Sequence, residues 1–301
     1  MRSISYYLGN PLKLLGAIVI RCNFLFPNDE LYLKILFRLY MGKKLNLKTP
    51  QTFCEKLQWL KLYNRKLEYT RMVDKITAKE YVASILGEEY IIPTLGVWDS
   101  FEEIDFSKLP KQFVLKTNNG GGASGVVVCK DKAILNKKSA RKKLEHSMKS
   151  NLYDSLREWP YKNIKPKILA EQFMQDDSGQ LRDYKFYCFA GKVKVILIAT
   201  NRFNSLNFNY YDLSFNPLSI ESREVKLSDS VINKPKKWED MIVIAEKLSK
   251  GLPFIRVDLY CVDERVYFSE LTFFDASGYD DLSSEYWNNL FGSWIQLPNC
   301  M

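Results

Sequence analysis

The N-terminal part of the chain places apolar side chains at the spacing of amphipathic helices. Two apolar-rich helices are predicted within residues 11–45, divided at Pro27–Asp29. Thr49-Pro50 then indicates a helix N-cap followed by a proline at the first helical position. A further helix is predicted from about Asp74 to Gly87, because glycine is favourable just beyond a helix end. The sequence therefore begins with a largely helical region.

After residue 90 the pattern changes to short runs that are rich in β-branched and aromatic residues. One long basic helix, at about 135–157, interrupts these runs, and another helix is predicted at about 236–250. Turns at Ala190-Gly191 and Asp263-Glu264 predict two hairpins. The predicted strands lie in IIPTLGVW, QFVLKT, SGVVVCK, KILAEQFM, DYKFYCFAG, KVKVILIAT, FIRVDLYCV and RVYFSELTF. This mixture, with mostly antiparallel strands, predicts an α+β fold.

Composition narrows the classes of function. The net charge of +9 favours anionic partners such as phosphates, acidic sugars or an anionic membrane. The sequence has no helix-turn-helix, zinc-finger or RNP motif, so nucleic-acid binding is not expected. Its one histidine, His146, almost excludes a histidine-dependent triad or a zinc site. Six cysteines without a C-x-x-C pair predict reduced thiols in a cytoplasmic protein.

The apolar run LLGAIVI, residues 14–20, is too short to cross a bilayer. Basic residues interleave with apolar ones around it, and they are Lys13, Arg21, Lys34 and Arg38. Two interpretations remain open for residues 11–45. The segment lies on an anionic membrane surface, at the inner face of the plasma membrane, or it packs against the rest of the protein.

A glycine-rich stretch, TNNGGGASGVVV, follows the predicted strand QFVLK. Its spacing fits G-x-G-x-x-G, but a dinucleotide fold needs a helix after the glycines, and Val126–Cys129 favours a strand. The sequence lacks the G-K-[ST] ending of a Walker A loop and the other segments of a protein kinase. The stretch is therefore interpreted as a glycine hairpin that binds phosphate or, alternatively, as a flexible surface turn. Its glycines are Gly120, Gly121, Gly122 and Gly125, and Lys116 precedes them at the end of the strand.

The last predicted hairpin carries charged residues at period two. Arg256 and Asp258 share one face of its first strand, and Glu270 and Thr272 share one face of its second strand. A short turn would bring Asp258 and Glu270 opposite each other or one place apart. Two close carboxylates repel unless a cation lies between them, and Mg²⁺ bound to nucleotide phosphates is such a cation. The alternative is a solvated hairpin edge with an Arg–Asp ion pair.

The glycine hairpin, AEQFM, DYK and RVD…ELTF together resemble the ATP-grasp superfamily, whose members clamp ATP between two α+β subdomains. More closely, roughly residues 40–280 resemble the TupA-like (teichuronopeptide biosynthesis) ATP-grasp proteins of bacterial surface polysaccharide loci. Five segments in order carry this resemblance. They are KKLNLKTPQTFCEKLQWLKLYNR, VDKITAKEYV, IPTLGVWDSFEEIDFSKLPKQFVLKTNNGGG, REWPYKNIKPKILAEQF and PFIRVDLYCVDERVYFSELTF.

The resemblance implies an ATP-grasp fold of two α+β subdomains with mostly antiparallel sheets, preceded by a helical N-terminal region. That region would span residues 1–70, and the ATP-grasp domain would span residues 71–301. Within the domain, the glycine-loop subdomain would cover about 90–165 and the metal-binding subdomain 166–301.

The resemblance also implies roles for individual residues. Those that would bind ATP are Lys75 and Lys116 at the phosphates, Gly120, Gly121, Gly122 and Gly125 in the covering loop, Glu171, Gln172, Phe173 and Met174 at the adenine hinge, and Asp183 near the ribose. Those at the reaction centre are Lys185, Arg202 and Arg256, with Asp258, Glu270 and Thr272 at Mg²⁺. Thr272 stands where the superfamily usually has asparagine, and Ser277-Gly278 would keep the polar turn that closes the site.

The implied activity is ATP- and Mg²⁺-dependent carboxylate–amine ligation through an acyl-phosphate. The resemblance suggests that an amino acid is joined to a uronic-acid-type sugar, free or linked to a lipid, in surface polysaccharide biosynthesis. The alternatives are an ATP-dependent sugar kinase, a glycosyltransferase of the same pathway, and a non-catalytic membrane-surface scaffold. The sequence has no D-x-D motif to support the glycosyltransferase.

Overall fold

The structure of this chain is a computed structural model that describes residues 10–176, 179, 181–200, 206–220, 226–227, 232–280, 282 and 284–299. Its helices are α1 Pro11–Arg21, α2 Asp29–Met41, α3 Phe53–Tyr63, α4 Glu68–Val73, α5 Thr77–Leu86, α6 Lys137–Met148, α7 Leu152–Leu156, α8 Trp238–Ser249 and α9 Glu285–Trp294. Its strands are β1 Thr94–Trp98, β2 Phe113–Thr117, β3 Val126–Cys129, β4 Ile168–Gln172, β5 Asp183–Phe189, β6 Lys192–Thr200, β7 Asn207–Tyr211, β8 Pro217–Leu218, β9 Lys226–Leu227, β10 Phe254–Val262 and β11 Arg265–Thr272.

These strands form two sheets, which confirms the α+β prediction. The smaller sheet has the order β1-β4-β2-β3 and is antiparallel throughout. The larger sheet has the order β11-β10-β5-β6-β7-β8, also antiparallel, and β9 lies parallel to β7. β4 follows the predicted subdomain boundary at residue 165, yet it pairs with β1 and β2. The smaller sheet therefore takes strands from both sides of that boundary.

Two hydrophobic cores support the sheets. The main core lies between the larger sheet and α3, α8 and α9. In it, the ring of Phe53 meets Phe254 and Phe291 edge-on at centroid distances of 5.0 and 5.5 Å, which is a favoured geometry for aromatic pairs. A second core lies between the smaller sheet and α6, around Phe113 and Leu144. Close packing on each sheet gives the site residues a firm support.

The two N-terminal helices pack differently. α2 buries four apolar side chains, those of Tyr32, Leu33, Leu36 and Phe37. α1 exposes about half of each of three apolar side chains, those of Leu12, Leu15 and Ile18. Of the two interpretations of residues 11–45, packing against the protein therefore applies to α2, while α1 keeps an apolar face in solvent.

The start of α3 shows that the prediction of an N-cap at Thr49-Pro50 is wrong. The helix begins at Phe53, and Thr52 is its N-cap. The Thr52 hydroxyl accepts from the backbone N–H of Glu55 at 3.2 Å, and the Glu55 carboxylate accepts from the N–H of Thr52 at 3.1 Å. This reciprocal pair is a capping box, which satisfies two N–H groups at the start of the helix.

Two other predicted helices have different bounds in the structure. The helix expected from Asp74 begins at Thr77, because the Asp74 side chain accepts from the N–H of Ile76 and forms a local turn. The helix expected over 135–157 is divided into α6 and α7, and the side chain of Asn151 caps α7 through the N–H of Tyr153. In both places a short polar side chain bonds to the backbone and interrupts the helix.

The capping box leads to a first prediction. Thr52→Ala should lower the free energy of unfolding by about 1 kcal/mol, because it removes the hydroxyl that caps α3. Thr49→Ala is the matched control, since Thr49 is exposed and lies before the helix, and we expect it to cost much less. Chemical denaturation of both variants measures the difference. An equal loss in the two variants would contradict the assignment of the cap.

Candidate nucleotide and metal site

Strand register brings the charged residues of the last hairpin together. Across β10 and β11, Asp258 lies opposite Glu270, which is one of the two registers that the sequence left open, and Arg256 lies opposite Thr272. On the other side of β10, Asp258 lies opposite Lys185 of β5. Asp258 is fully buried, at 0% exposure. A row of two carboxylates and one ammonium group, those of Glu270, Asp258 and Lys185, therefore crosses three neighbouring strands.

The three residues predicted at the metal converge on one cationic atom. Nη2 of Arg256 lies 2.8 Å from Oδ2 of Asp258, 3.2 Å from Oε1 of Glu270 and 3.1 Å from Oγ1 of Thr272. Their oxygens are thus close enough to share one cation. The described part of the chain contains no cluster of three acidic, histidine or cysteine ligands. Two carboxylates and a hydroxyl nevertheless fit Mg²⁺, which takes one or two carboxylates and completes its shell with water and phosphate oxygens.

The charge states of this row follow from its ion pairs. Burial alone would raise the pKa of Asp258, but Arg256 and Lys185 outweigh it and lower this pKa to about 2. Burial alone would lower the pKa of Lys185, but Asp183 and Asp258 outweigh it and raise this pKa. Lys185 Nζ donates to Asp258 and lies 3.4 Å from Oδ2 of Asp183. Asp258 and Lys185 are therefore both ionised at neutral pH.

The glycine loop joins β2 to β3 as predicted, and two of its glycines are sterically required. Gly122 has a φ of +59°, which is unfavourable for other residues. A Cβ on Gly125 would lie 2.2 Å from the hydroxyl oxygen of Thr117. The side chain of Asn118 holds the start of the loop. Its Nδ2 donates to Oδ2 of Asp74 at 3.0 Å, and its Oδ1 accepts from the backbone N–H of Lys167 at 2.7 Å.

Lys75 links the loop to the carboxylates. Its ammonium group donates to the carbonyl oxygen of Gly120 and lies 3.7 Å from Oε2 of Glu270. Burial lowers the pKa of Lys75, and the nearby Glu270 only partly offsets this effect. The structure thus places Lys75, the loop backbone and Glu270 at one point, although they come from distant parts of the chain.

Glu171 is held by two lysines rather than facing an open hinge. Its carboxylate oxygens lie 2.5 Å from Nζ of Lys116 and 2.6 Å from Nζ of Lys79. Burial would raise the pKa of Glu171, but the two ammonium groups outweigh it and lower this pKa to about 2. The sequence did not single out Lys79, although it follows Lys75 by four residues.

A cavity of about 160 Å³ opens beside Lys116 and Glu171. Apolar walls with a few polar groups are typical of cofactor pockets. The apolar wall residues include Ile92, Val114, Val126, Val128, Leu181 and Tyr260, and the hinge residues Gln172, Phe173 and Met174 close one side. Because Lys116 and Tyr260 line the same cavity, strand β2, which carries Lys116, and strand β10, which carries Asp258, border one cleft.

A larger cavity of about 1050 Å³ lies along α8 and the β10–β11 turn, and it also touches the hinge. Its lining includes neither the carboxylates Asp258 and Glu270 nor the lysines Lys75 and Lys116. Lys116 and Glu171 line the smaller cavity, whose lining does not include Lys75 or the two carboxylates, and we therefore place the candidate nucleotide site there.

Three further residues concern the site: Asp183 and Arg202, for which the resemblance implies roles, and Asp275, which was not predicted. Asp183 is buried at the start of β5 and faces Lys185, while Arg202 lies outside the described residues. Asp275 was not predicted: it accepts from Nη1 of Arg256 and, at 2.8 Å, from the hydroxyl of Tyr187. It follows the end of β11, where period two no longer indicates which way a side chain points.

Comparison with known proteins gives a family match and several similar structures. The model of the TupA-like ATP-grasp family matches residues 55–296. D-alanine–D-alanine ligase from Helicobacter pylori is 17% identical with a TM-score of 0.40, covering 81% of this chain and 69% of that one. The ADP complex of the N5-carboxyaminoimidazole ribonucleotide synthetase PurK is 15% identical with a TM-score of 0.45, covering 80% and 56%. D-alanine–D-alanine ligase from Bacillus anthracis complexed with ATP is 17% identical with a TM-score of 0.40, covering 73% and 63%.

Sequence identity this low does not carry an activity from those proteins to this chain, which also spans less than two thirds of the second and third of them. Among curated proteins, none matches the sequence. The family model, in contrast, extends over most of the chain and includes Lys75, Lys116, Asp258 and Glu270. It confirms the ATP-grasp fold and, with it, an enzyme of the ligase class that uses ATP and Mg²⁺. The chain belongs to the TupA-like ATP-grasp family.

Proposed function

We propose that this enzyme joins an amino acid to a uronic-acid-type sugar in bacterial surface polysaccharide biosynthesis, through an acyl-phosphate. The observation that supports a phosphoryl-transfer site most directly is the convergence of Asp258, Glu270 and Thr272 on one cationic atom, with Lys75 between them and the glycine loop. Cationic and anionic side chains meet there beside the loop of the smaller sheet, as a Mg²⁺-nucleotide requires.

ATP would lie in the cavity beside Lys116. The hinge Gln172–Met174 would contact adenine through its backbone, and Asp183 would lie towards the ribose. The backbone N–H groups of the loop from Gly120 to Gly125 would cover the phosphates. In the structure, Lys75 and Lys116 are paired with carboxylates. With ATP bound, their ammonium groups would contact phosphate oxygens instead.

Asp258 and Glu270 would hold Mg²⁺, with the Thr272 hydroxyl as a weaker third ligand. When bound, the metal would offset negative charge on the phosphates. Arg256 and Lys185 stay beside the reacting groups, and we assign Arg202 to the same path. Their positive charge would stabilise the charge that develops during transfer.

The reaction has two steps that balance. A substrate carboxylate attacks the γ-phosphorus of ATP, the bond to ADP breaks, and an acyl-phosphate and ADP form. The substrate amine then attacks the acyl carbon, loses a proton to water or a nearby base, and displaces inorganic phosphate to give an amide. The glycine loop would exclude water, which would otherwise hydrolyse the acyl-phosphate. No covalent enzyme intermediate is needed, in agreement with a sequence that has one histidine.

The choice of an acidic sugar, free or lipid-linked, is supported by the family resemblance and by the net charge of +9. A sugar kinase would use the same nucleotide site and differs only in the attacking group. The paired carboxylates Asp258 and Glu270 give no support to a glycosyltransferase or to a non-catalytic scaffold.

The metal assignment predicts the effect of removing one carboxylate. Glu270→Ala should weaken Mg²⁺-dependent ATP binding or turnover at least tenfold, which corresponds to about 1.4 kcal/mol or more. Glu264→Ala is the matched control, because Glu264 lies in the turn of the same hairpin and pairs with the exposed Lys236. Calorimetry with Mg·ATP and an assay for ADP release measure both variants. Unchanged values for Glu270→Ala would rule out this metal site.

Hydroxylamine distinguishes the ligase from the kinase. A ligase that forms an acyl-phosphate should yield a hydroxamate from its carboxylate substrate when hydroxylamine replaces the amine, together with ADP. A screen of glucuronic and galacturonic acids and of amino acids, with Mg·ATP, identifies that substrate by mass spectrometry. ADP release with a phosphorylated sugar hydroxyl and no hydroxamate would favour the kinase.

We also propose that α1 and the turn after it rest on an anionic membrane surface. The exposed apolar side chains there are Leu12, Leu14, Leu15, Ile18, Phe24 and Leu25. Residues 11–45 contain six basic and two acidic side chains, and one of the acidic ones, Asp29, already pairs with Arg65 and Arg157. An apolar face beside excess positive charge suits anionic lipid. Within the described residues, none of the helices has the length and apolar character needed to span a bilayer.

Vesicle binding tests this surface. Leu15→Glu combined with Ile18→Glu should weaken co-sedimentation with phosphatidylglycerol-containing vesicles about tenfold or more, because charged groups replace buried apolar contacts. Ile134→Glu is the control, since Ile134 is equally apolar and 83% exposed but lies near the smaller sheet. Equal binding by wild type and the double variant would contradict the proposal.

A further inference from the structure

A left-handed turn follows β11 immediately beside Arg256. Ala276, Ser277 and Gly278 have φ values of +44°, +54° and +69°, so three successive residues are in the left-handed region. Two of the three are not glycine, and such residues rarely adopt this conformation. A turn of this kind persists only where its surroundings hold it, and strained backbone of this kind tends to lie at functional sites.

Two buried side chains of α3 hold this turn. Nζ of Lys61 donates to the carbonyl oxygen of Ser277 at 2.8 Å, to the Ser277 hydroxyl at 2.9 Å and to the carbonyl oxygen of Leu156 at 2.9 Å. Nε2 of Gln58 donates to the carbonyl oxygens of Ser277 and Gly278, both at 3.0 Å. Lys61 and Gln58 are both 0% exposed, and they lie one turn apart on the helix.

This turn also holds Arg256, through the side chain of Asp275. Asp275 is the first residue of the turn, and its carboxylate accepts from Nη1 of Arg256 and from the hydroxyl of Tyr187. The other guanidinium nitrogens of Arg256 bond to Asp258, Glu270 and Thr272. Hydrogen bonds at both ends of the turn, joined by its backbone, therefore connect α3 to Arg256 and its carboxylate partners.

Stability alone does not account for a lysine at this position. Burial outweighs the carboxylate of Glu158 and lowers the pKa of Lys61 to about 7. Replacing buried charged groups with apolar ones of similar volume is often neutral or stabilising. A lysine with all three donors on one turn and one neighbouring carbonyl gives directional control that an apolar side chain lacks.

We infer that Lys61 and Gln58 are positioning residues for Arg256, which they fix at the reaction centre through the turn 275–278. This inference rests on the proposed function for the role of Arg256, but the position of Arg256 can be tested without any substrate. The inference gives a role to the segment EKLQWLK, which contributes no residue to the proposed nucleotide site.

The test compares Lys61→Met with Lys56→Met. Lys56 lies on the same helix and donates to a backbone carbonyl oxygen, that of Ile295, at 2.9 Å, but it does not reach the turn. The first readout is the rate at which phenylglyoxal modifies Arg256, measured by peptide mass analysis. We expect this rate to rise several-fold in Lys61→Met and to stay at the wild-type value in Lys56→Met.

The second readout is kinetic and uses Mg·ATP with the carboxylate that the wild-type enzyme accepts. Lys61→Met should keep its affinity for Mg·ATP within about twofold and lose about tenfold or more in kcat, because misplacement of a catalytic group acts on the chemical step. In a double-mutant cycle, Lys61→Met should add little to the loss caused by Arg256→Met.

Asp275→Asn provides a second test if Lys61→Met does not fold, because it changes the contacts of Asp275 with Arg256 and Tyr187 but leaves those of α3 with the turn in place. It should also raise the modification rate of Arg256. An unchanged modification rate in the folded variants, an equal rise in Lys56→Met, or additive losses in the cycle would overturn the inference. Absence of ADP release by the wild type with every carboxylate would instead count against the proposed ligase, and the modification rates would still decide the positioning role.

Discussion

An ionised carboxylate in the middle of a β-sheet needs cationic partners, and Asp258 is such a group. Arg256 lies two residues earlier in the same strand, and Lys185 lies directly opposite on β5. Strand register, rather than loop conformation, fixes these three positions. The metal and phosphate chemistry of the site therefore depends on the pairing of β5, β10 and β11, which the main hydrophobic core supports from behind.

The need to pair buried charges also determines how a nucleotide would bind. Without phosphates, the site lysines are satisfied by carboxylates: Lys116 by Glu171, Lys185 by Asp258 and Lys75, more distantly, by Glu270. Phosphate groups would draw Lys75 and Lys116 away, and the carboxylates would then repel one another. A divalent cation resolves this repulsion, so nucleotide and Mg²⁺ would bind together rather than separately.

Local patterns predicted those parts of the site that lie within single elements. Period two gave the facing pair Asp258 and Glu270, and the β-branched run after the glycines gave a hairpin instead of a dinucleotide fold. The bonds of Asp275 and Lys79 escaped prediction because their partners are distant in sequence. Helix bounds failed at Thr49 and Asp74, where a neighbouring polar side chain decided the competition between helix and turn.

α3 shows most clearly why sequence pattern alone was insufficient. The sequence predicted a helix here, and its first residue, Phe53, packs in the main core. The same helix also buries Gln58 and Lys61, which a simple amphipathic pattern would place in solvent. Their partners belong to residues 275–278 and to α7, so the reason for their burial becomes visible only in three dimensions. A helix that the sequence assigned to a separate N-terminal region thus holds the backbone next to Arg256, and this region is part of the support of the site.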